Sequence, residues 1–177
     1  MSVLGKSSKP HCIHAVGVGR TGAAYIEALL RTGEIEDMLA TPGATFAALL
    51  IDIGDDHIQI PNDYARSLKA RLKTRGIATD RLQYESIALS VPDKGSFARD
   101  LDLAREQVKK ETGRDPWGGL PKDVALPQAG QHVPRSIAKA IYSMNYNLEP
   151  RKLDAALQRF AAHVKKSEHP STVLVAF

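Results

Sequence analysis

From residue 12 onward, short uninterrupted apolar runs alternate with longer stretches in which apolar residues return every three or four positions. The first run, CIHAVGV at 12–18, predicts a buried parallel strand, and Ala24, Ile26, Leu29 and Leu30 follow at helical spacing up to Gly33. EIEDMLATPG predicts a second, short helix ended by Pro42 and Gly43, and TFAALLIDI at 45–53 a second strand that carries Asp52 near its end. Turn signals in GDD and PND then lead to an amphipathic helix over 62–75, stopped by Gly76. LQYESIALSV reads as a third strand closed by Pro92. From Ser96 a serine-capped helix runs to Gly113, with Leu101, Leu103, Ala104 and Val108 marking its apolar side. Helices over 134–144 and 150–167 and a last strand over 172–177 complete the pattern.

Strand and helix alternating from the start of the fold predict an α/β protein, a Rossmann-like parallel sheet with helices on both faces. Residues 1–10, small and polar with a proline, read as a flexible arm, and 11–177 as a single domain. The stretch 113–132 is rich in Gly and Pro, lacks periodicity and is long for a connector, which suits a functional or mobile loop.

The composition narrows the function classes. With 43% hydrophobic and 25% charged side chains among 177 residues, the chain has the make-up of a globular domain with a sizeable core. Aromatic residues are only 6%, so Ala, Leu, Ile and Val must fill that core. The net charge is +4, but basic and acidic side chains are interspersed, which argues against a nucleic-acid role. The densest basic stretch holds Arg66, Lys69, Arg71, Lys73, Arg75 and Arg81 without interleaved aromatic residues, and reads as a solvated helix face. A single Cys12 and the lack of a long apolar span point to a reducing, cytoplasmic setting with no membrane role. His11, Cys12 and His14 do not make a metal site, since His11 faces away from the other two on a strand.

The chemistry concentrates at Gly17, Val18, Gly19, Arg20, Thr21 and Gly22, a G-x-G-x-x-G spacing between a strand and a helix. One glycine permits the tight turn, one lets backbone approach a phosphate, and Gly22 lets helix and strand pack closely. The free amides of the helix start hold the anion, with Arg20 and Thr21 as further donors. A dinucleotide fold would place an acid on the second strand about 20 residues past the glycines. Asp52 has that place in the topology but lies 30 residues past Gly22. Asp55 and Asp56 beyond it disfavour a ribose 2′-phosphate.

These residues resemble the amino-terminal nucleotide-binding half of the tubulin/FtsZ superfamily, particularly its large bacterial tubulin-like members. VGVGRTGAAYIEALL is similar to the first phosphate loop and helix, and FAALLIDIGDDHI to the second strand with the family's aspartate at Asp52. QAGQHVPRSIAKAIY resembles the loop near the terminal phosphates, which implies that role for Ala129 and Gly130. STVLVAF is similar to the strand that leads into the family's GGGTG-type loop.

The resemblance implies a partial domain binding GTP or GDP, with ATP open as an alternative because Ala24 stands where the family has an asparagine that helps hold the nucleotide, and with Mg²⁺ accompanying the nucleotide. It implies a partner as well, either further polypeptide that completes the domain or a self-associating copy, and no hydrolysis by this chain alone. Two other classes remain open at this point. One is an NAD-binding oxidoreductase module, with His132 and Tyr142 as the only candidates for its chemistry. The other is a noncatalytic assembly subunit that binds no nucleotide.

Overall fold

The computed structural model describes residues 11–115, 117, 120, 126, 133–148 and 150–177. Four strands, β1 (Cys12–Val18), β2 (Phe46–Ile53), β3 (Leu82–Leu89) and β4 (Ser171–Ala176), form one sheet in the order β3-β2-β1-β4. Every pairing is parallel, with Val18 level with Ile51 of β2 and Gly17 level with Ala176 of β4. Among the described residues six α-helices accompany them: α1 (Gly19–Arg31), α2 (Glu34–Ala40), α3 (Gln59–Thr74), α4 (Phe97–Thr112), α5 (Arg135–Leu148) and α6 (Pro150–Val164). The Rossmann-like α/β class expected from the alternation is therefore the class observed.

Side chains alternate across the sheet, and the two faces have separate cores. On one, Ala15, Phe46, Ala48 and Leu50 pack with Ala23, Ile26 and Leu30 of α1 and with Ala65, Leu68 and Leu72 of α3. On the other, Ala47, Leu49, Ile51, Ile87 and Leu89 pack beneath Leu153, Ala156 and Phe160 of α6. Strand β2 lies between both layers and is buried almost throughout, which is why its sequence is a continuous apolar run. Each fully buried leucine there contributes about 1.5–3 kcal/mol relative to exposure. A third cluster joins Phe97 and Leu101 of α4, Trp117, and Ile137 and Ile141 of α5, so α4 packs on α5.

Several local expectations are corrected. Ala23 is the buried alanine of α1 while Ala24 is exposed, and on α4 the side chain of Leu103 is 64% exposed. Helix α3 begins at Gln59 and takes Pro61 into its first turn, where a missing N–H costs nothing. The Ser96 hydroxyl donates to Asp100 at 2.6 Å and leaves the helix backbone uncapped. The basic stretch is only partly a solvated face. Arg71 and Arg75 pair with the largely buried Glu36 of α2, and Arg75 also reaches Asp37 at 3.1 Å. The Arg81 guanidinium donates to the carbonyls of Leu39 and Thr41, both at 3.1 Å. These cations fix α2 to α3 and to the start of β3.

The edge strand β4 differs from the rest. It rests on β1 and α1, but Val173 is 42% and Val175 59% exposed, and the neighbouring Phe177 79%. These residues lie on the same sheet face as the α6 layer, which packs on β2, on β3 and against Val16 of β1.

Candidate functional site

Parallel sheets offer ligands the carboxyl ends of their strands, above all where the chain order reverses direction. Here β1 is followed in space by β2 on one side and β4 on the other, so the reversal lies at the end of β1, where the glycines stand. The strand passes into α1 without an intervening loop. Val18 is extended, with φ −124° and ψ 127°, and Gly19 turns the chain with φ +67°. A side chain at Gly19 would meet nothing within 4 Å, so the backbone there is open to an approaching group.

Gly17 and Gly22 have a different task. A Cβ at Gly17 would lie 2.6 Å from the Gly22 carbonyl oxygen, and one at Gly22 would lie 2.8 Å from the carbonyl oxygen of Ala176. Strand β1, helix α1 and the end of β4 thus touch through bare backbone. The tight turn belongs to Gly19, and the first glycine joins Gly22 in the close packing.

The amino terminus of α1 has no side-chain cap and no acidic residue in its first turn. Its leading amides, which have no partner within a helix, face the open side together with the positive end of the helix dipole. Arg20 and Thr21 are exposed beside them. Across one strand spacing, roughly 5 Å, Asp52 stands one residue beyond the level of Val18. It follows Phe46, Ala48 and Leu50 in the alternation, and so belongs to the face that α1 and α3 cover.

Asp52 is 8% exposed. One oxygen accepts the Ile53 N–H at 2.8 Å, and the other, Oδ2, is buried without a partner. Burial holds this carboxyl above the usual carboxylate range. The Ile53 amide and His57 oppose that shift, and Asp56 adds to it. A buried acceptor with an unused oxygen is costly in an empty protein and is relieved by a donor from outside.

The turn after β2 is set by Gly54, whose φ is +74° and whose N–H binds the Leu89 carbonyl at 2.9 Å, tying the ends of β2 and β3 together. Beside it, the Asn145 amide of α5 bridges Ser90, accepting its N–H at 2.7 Å and donating to its carbonyl at 3.0 Å. Gly54 was readable as a glycine placed directly after a strand. Nothing in the sequence marks Asn145, because its role depends on α5 lying beside β3.

The structure therefore brings Gly17, Val18, Gly19, Arg20, Thr21, Gly22 and Asp52 to one end of the sheet. Ala129, Gly130 and His132 lie outside the described residues. Tyr142 is half-exposed and stacks on Tyr146 with ring centroids 6.5 Å apart. Cys12 is fully buried and accepts a hydrogen bond from the Ser167 hydroxyl at 3.2 Å, while His11 binds the Thr172 hydroxyl. Among the described residues no three His, Cys, Asp or Glu side chains gather as metal ligands, and no helix is long and apolar enough to cross a membrane. Comparison with protein-family models, with curated proteins and with solved structures returned no match.

Proposed function

We propose that this chain is the amino-terminal segment of a tubulin/FtsZ-like nucleotide-binding protein. Its Gly17–Gly22 turn holds the phosphates of a purine nucleotide, GTP or GDP in the first place and ATP in the second, with Mg²⁺ accompanying the nucleotide. The observation that carries the reading is the pairing of an uncapped helix start with the buried, half-used carboxyl of Asp52 on the adjacent strand. The amides supply the anion contacts, and the unpartnered Oδ2 asks for a donor such as a ribose hydroxyl or a base amino group.

A dipole contact supplies only about 0.3–1 kcal/mol when exposed and up to ~2 when partly buried, so other groups must add affinity. Further polypeptide docked along β4 would bring them to the site, because the end of that strand abuts Gly22. The uncharged, proline-free edge of β4 and its exposed Val173 and Val175 suit such a partner. Alone, the chain binds nucleotide weakly and does not turn it over, since phosphoryl transfer needs a metal and phosphate clamp and a positioned water.

The same placement of Asp52 favours a second reading, an NAD-binding module in which this carboxyl takes the ribose hydroxyls. Titration with fluorescently labelled GTP and ATP against NADH separates the two. Under the proposal, the labelled purine triphosphates bind, NADH does not, and Gly19→Val abolishes the signal while the circular dichroism spectrum is kept. Binding of NADH alone would establish the second reading, and no response to any of the three would leave a noncatalytic assembly subunit.

A further inference from the structure

On the opposite flank of the sheet, far from β4, a groove of about 470 Å³ runs between α3 and the edge strand β3. Asn62, Arg66 and Lys69 line it from the helix, and Tyr84, Glu85 and Ser86 from the strand. Two polar atoms in it are buried with no partner, the Tyr84 hydroxyl and the Asn62 carbonyl oxygen. Burial pushes the Tyr84 phenol up to about 12, and the neighbouring Ser86 hydroxyl opposes this without reaching hydrogen-bond geometry. The phenol is therefore a proton donor at any physiological pH, and the Asn62 oxygen is an acceptor. Among the described residues β3 pairs only with β2, so every second residue of β3 turns its N–H and C=O outward along the same groove.

What is missing in this groove is one acceptor, one donor and a ladder of backbone partners. A peptide in extended conformation carries all three, because each amide offers a carbonyl to the phenol, an N–H to the asparagine oxygen and alternate groups to the strand. The charge of the rim selects among peptides. Of the charged lining residues, Arg66 is paired with Asp63 and Glu85 with Arg159 of α6 at 3.1 Å, while Lys69 has no ion-pair partner among the described residues. We infer that the α3–β3 groove binds an extended acidic peptide segment of a partner protein as a fifth strand on β3. This site is independent of the nucleotide reading, since it involves neither the glycine turn nor Asp52.

The test is fluorescence anisotropy with a short fluorescein-labelled peptide of alternating valine and glutamate, titrated with the full chain. Saturable binding is expected, and it should disappear when alternate amides of the peptide are N-methylated. Lys69→Glu should weaken it about tenfold and reduce its salt dependence, and Tyr84→Phe roughly fivefold. Because the phenol has no internal partner, Tyr84→Phe should leave the thermal midpoint unchanged or raised. A lowered midpoint would show that the hydroxyl is used inside the fold and would overturn the inference. So would the absence of saturable binding, equal binding of a valine and lysine peptide, or indifference to Lys69→Glu.

Discussion

Gly17 and Gly22 meet backbone to backbone: a Cβ on Gly22 would stand 2.5 Å from the carbonyl carbon of Gly17. No rotamer relieves that collision, so α1 would have to lift from β1 and from the end of β4. Gly22→Ala and Gly17→Ala are each expected to cost about 1–3 kcal/mol or more, seen as a lowered urea midpoint. Gly19→Ala meets no atom and pays only for its positive φ, on the order of 1–2 kcal/mol. The three glycines thus separate into two that hold the fold and one that shapes the open turn. Equal losses at all three positions would contradict this division.

Asp52 gives a prediction of opposite sign. Its pKa is raised by burial, so the folded state disfavours the charged form. The stability linked to this group is fully present below the unfolded carboxyl pKa of 3.8 and is lost as pH rises through the higher folded value. At neutral pH, Asp52→Asn should therefore raise the thermal midpoint of the empty protein while weakening labelled nucleotide. A variant that is both less stable and unchanged in binding would assign Asp52 to the fold alone.

Strand β2 and the glycine turn were legible in the sequence because their signals are local: an apolar run buried on both faces, and glycines where only glycine fits. The start of α3 was misplaced since PND resembles a turn, yet proline is at home in a first helical turn. Leu103 misled because a single leucine at helical spacing does not reveal that α4 packs on α5 along a narrow stripe. The Asn62 and Tyr84 groove was invisible. It requires knowing that β3 lies at an edge, which depends on strand order and not on any residue within it.

The basic stretch makes its own prediction through Glu36. This carboxylate is largely buried between Arg71 and Arg75, both partly exposed. Removing Arg71 leaves Arg75 at 3.6 Å to compensate, so Arg71→Ala should cost about 1 kcal/mol. Arg71→Ala with Arg75→Ala leaves a buried charge without a cation and should cost more than the sum of the singles, in the direction of the ~3 kcal/mol seen when buried pairs are broken. Urea unfolding of the two single variants and the double closes the cycle. Strict additivity would mean that the two arginines serve Glu36 independently.

The last prediction concerns His14, which is fully buried on β1 on the face toward α6. Its Nδ1 accepts the Ala47 N–H at 3.0 Å, a bond that requires the neutral ring. Protonation would remove that acceptor and place a cation in a dry layer near His163, whose own Nε2 faces the Arg81 carbonyl at 3.0 Å. Burial first, and His163 second, lower the His14 pKa from 6.5 to about 4. In the unfolded chain the ring charges near 6.5, so between that value and about 4 the unfolded state holds more protons than the folded one. Stability is thus complete above pH 6.5 and falls as the pH drops through this window, by about 3 kcal/mol in all for a shift of this size. Urea midpoints from pH 7.5 down to 4 should trace the loss. His14→Asn, which keeps an acceptor for Ala47 but cannot charge, should flatten that part of the curve, and an unchanged slope in the variant would place the acid sensitivity on other groups.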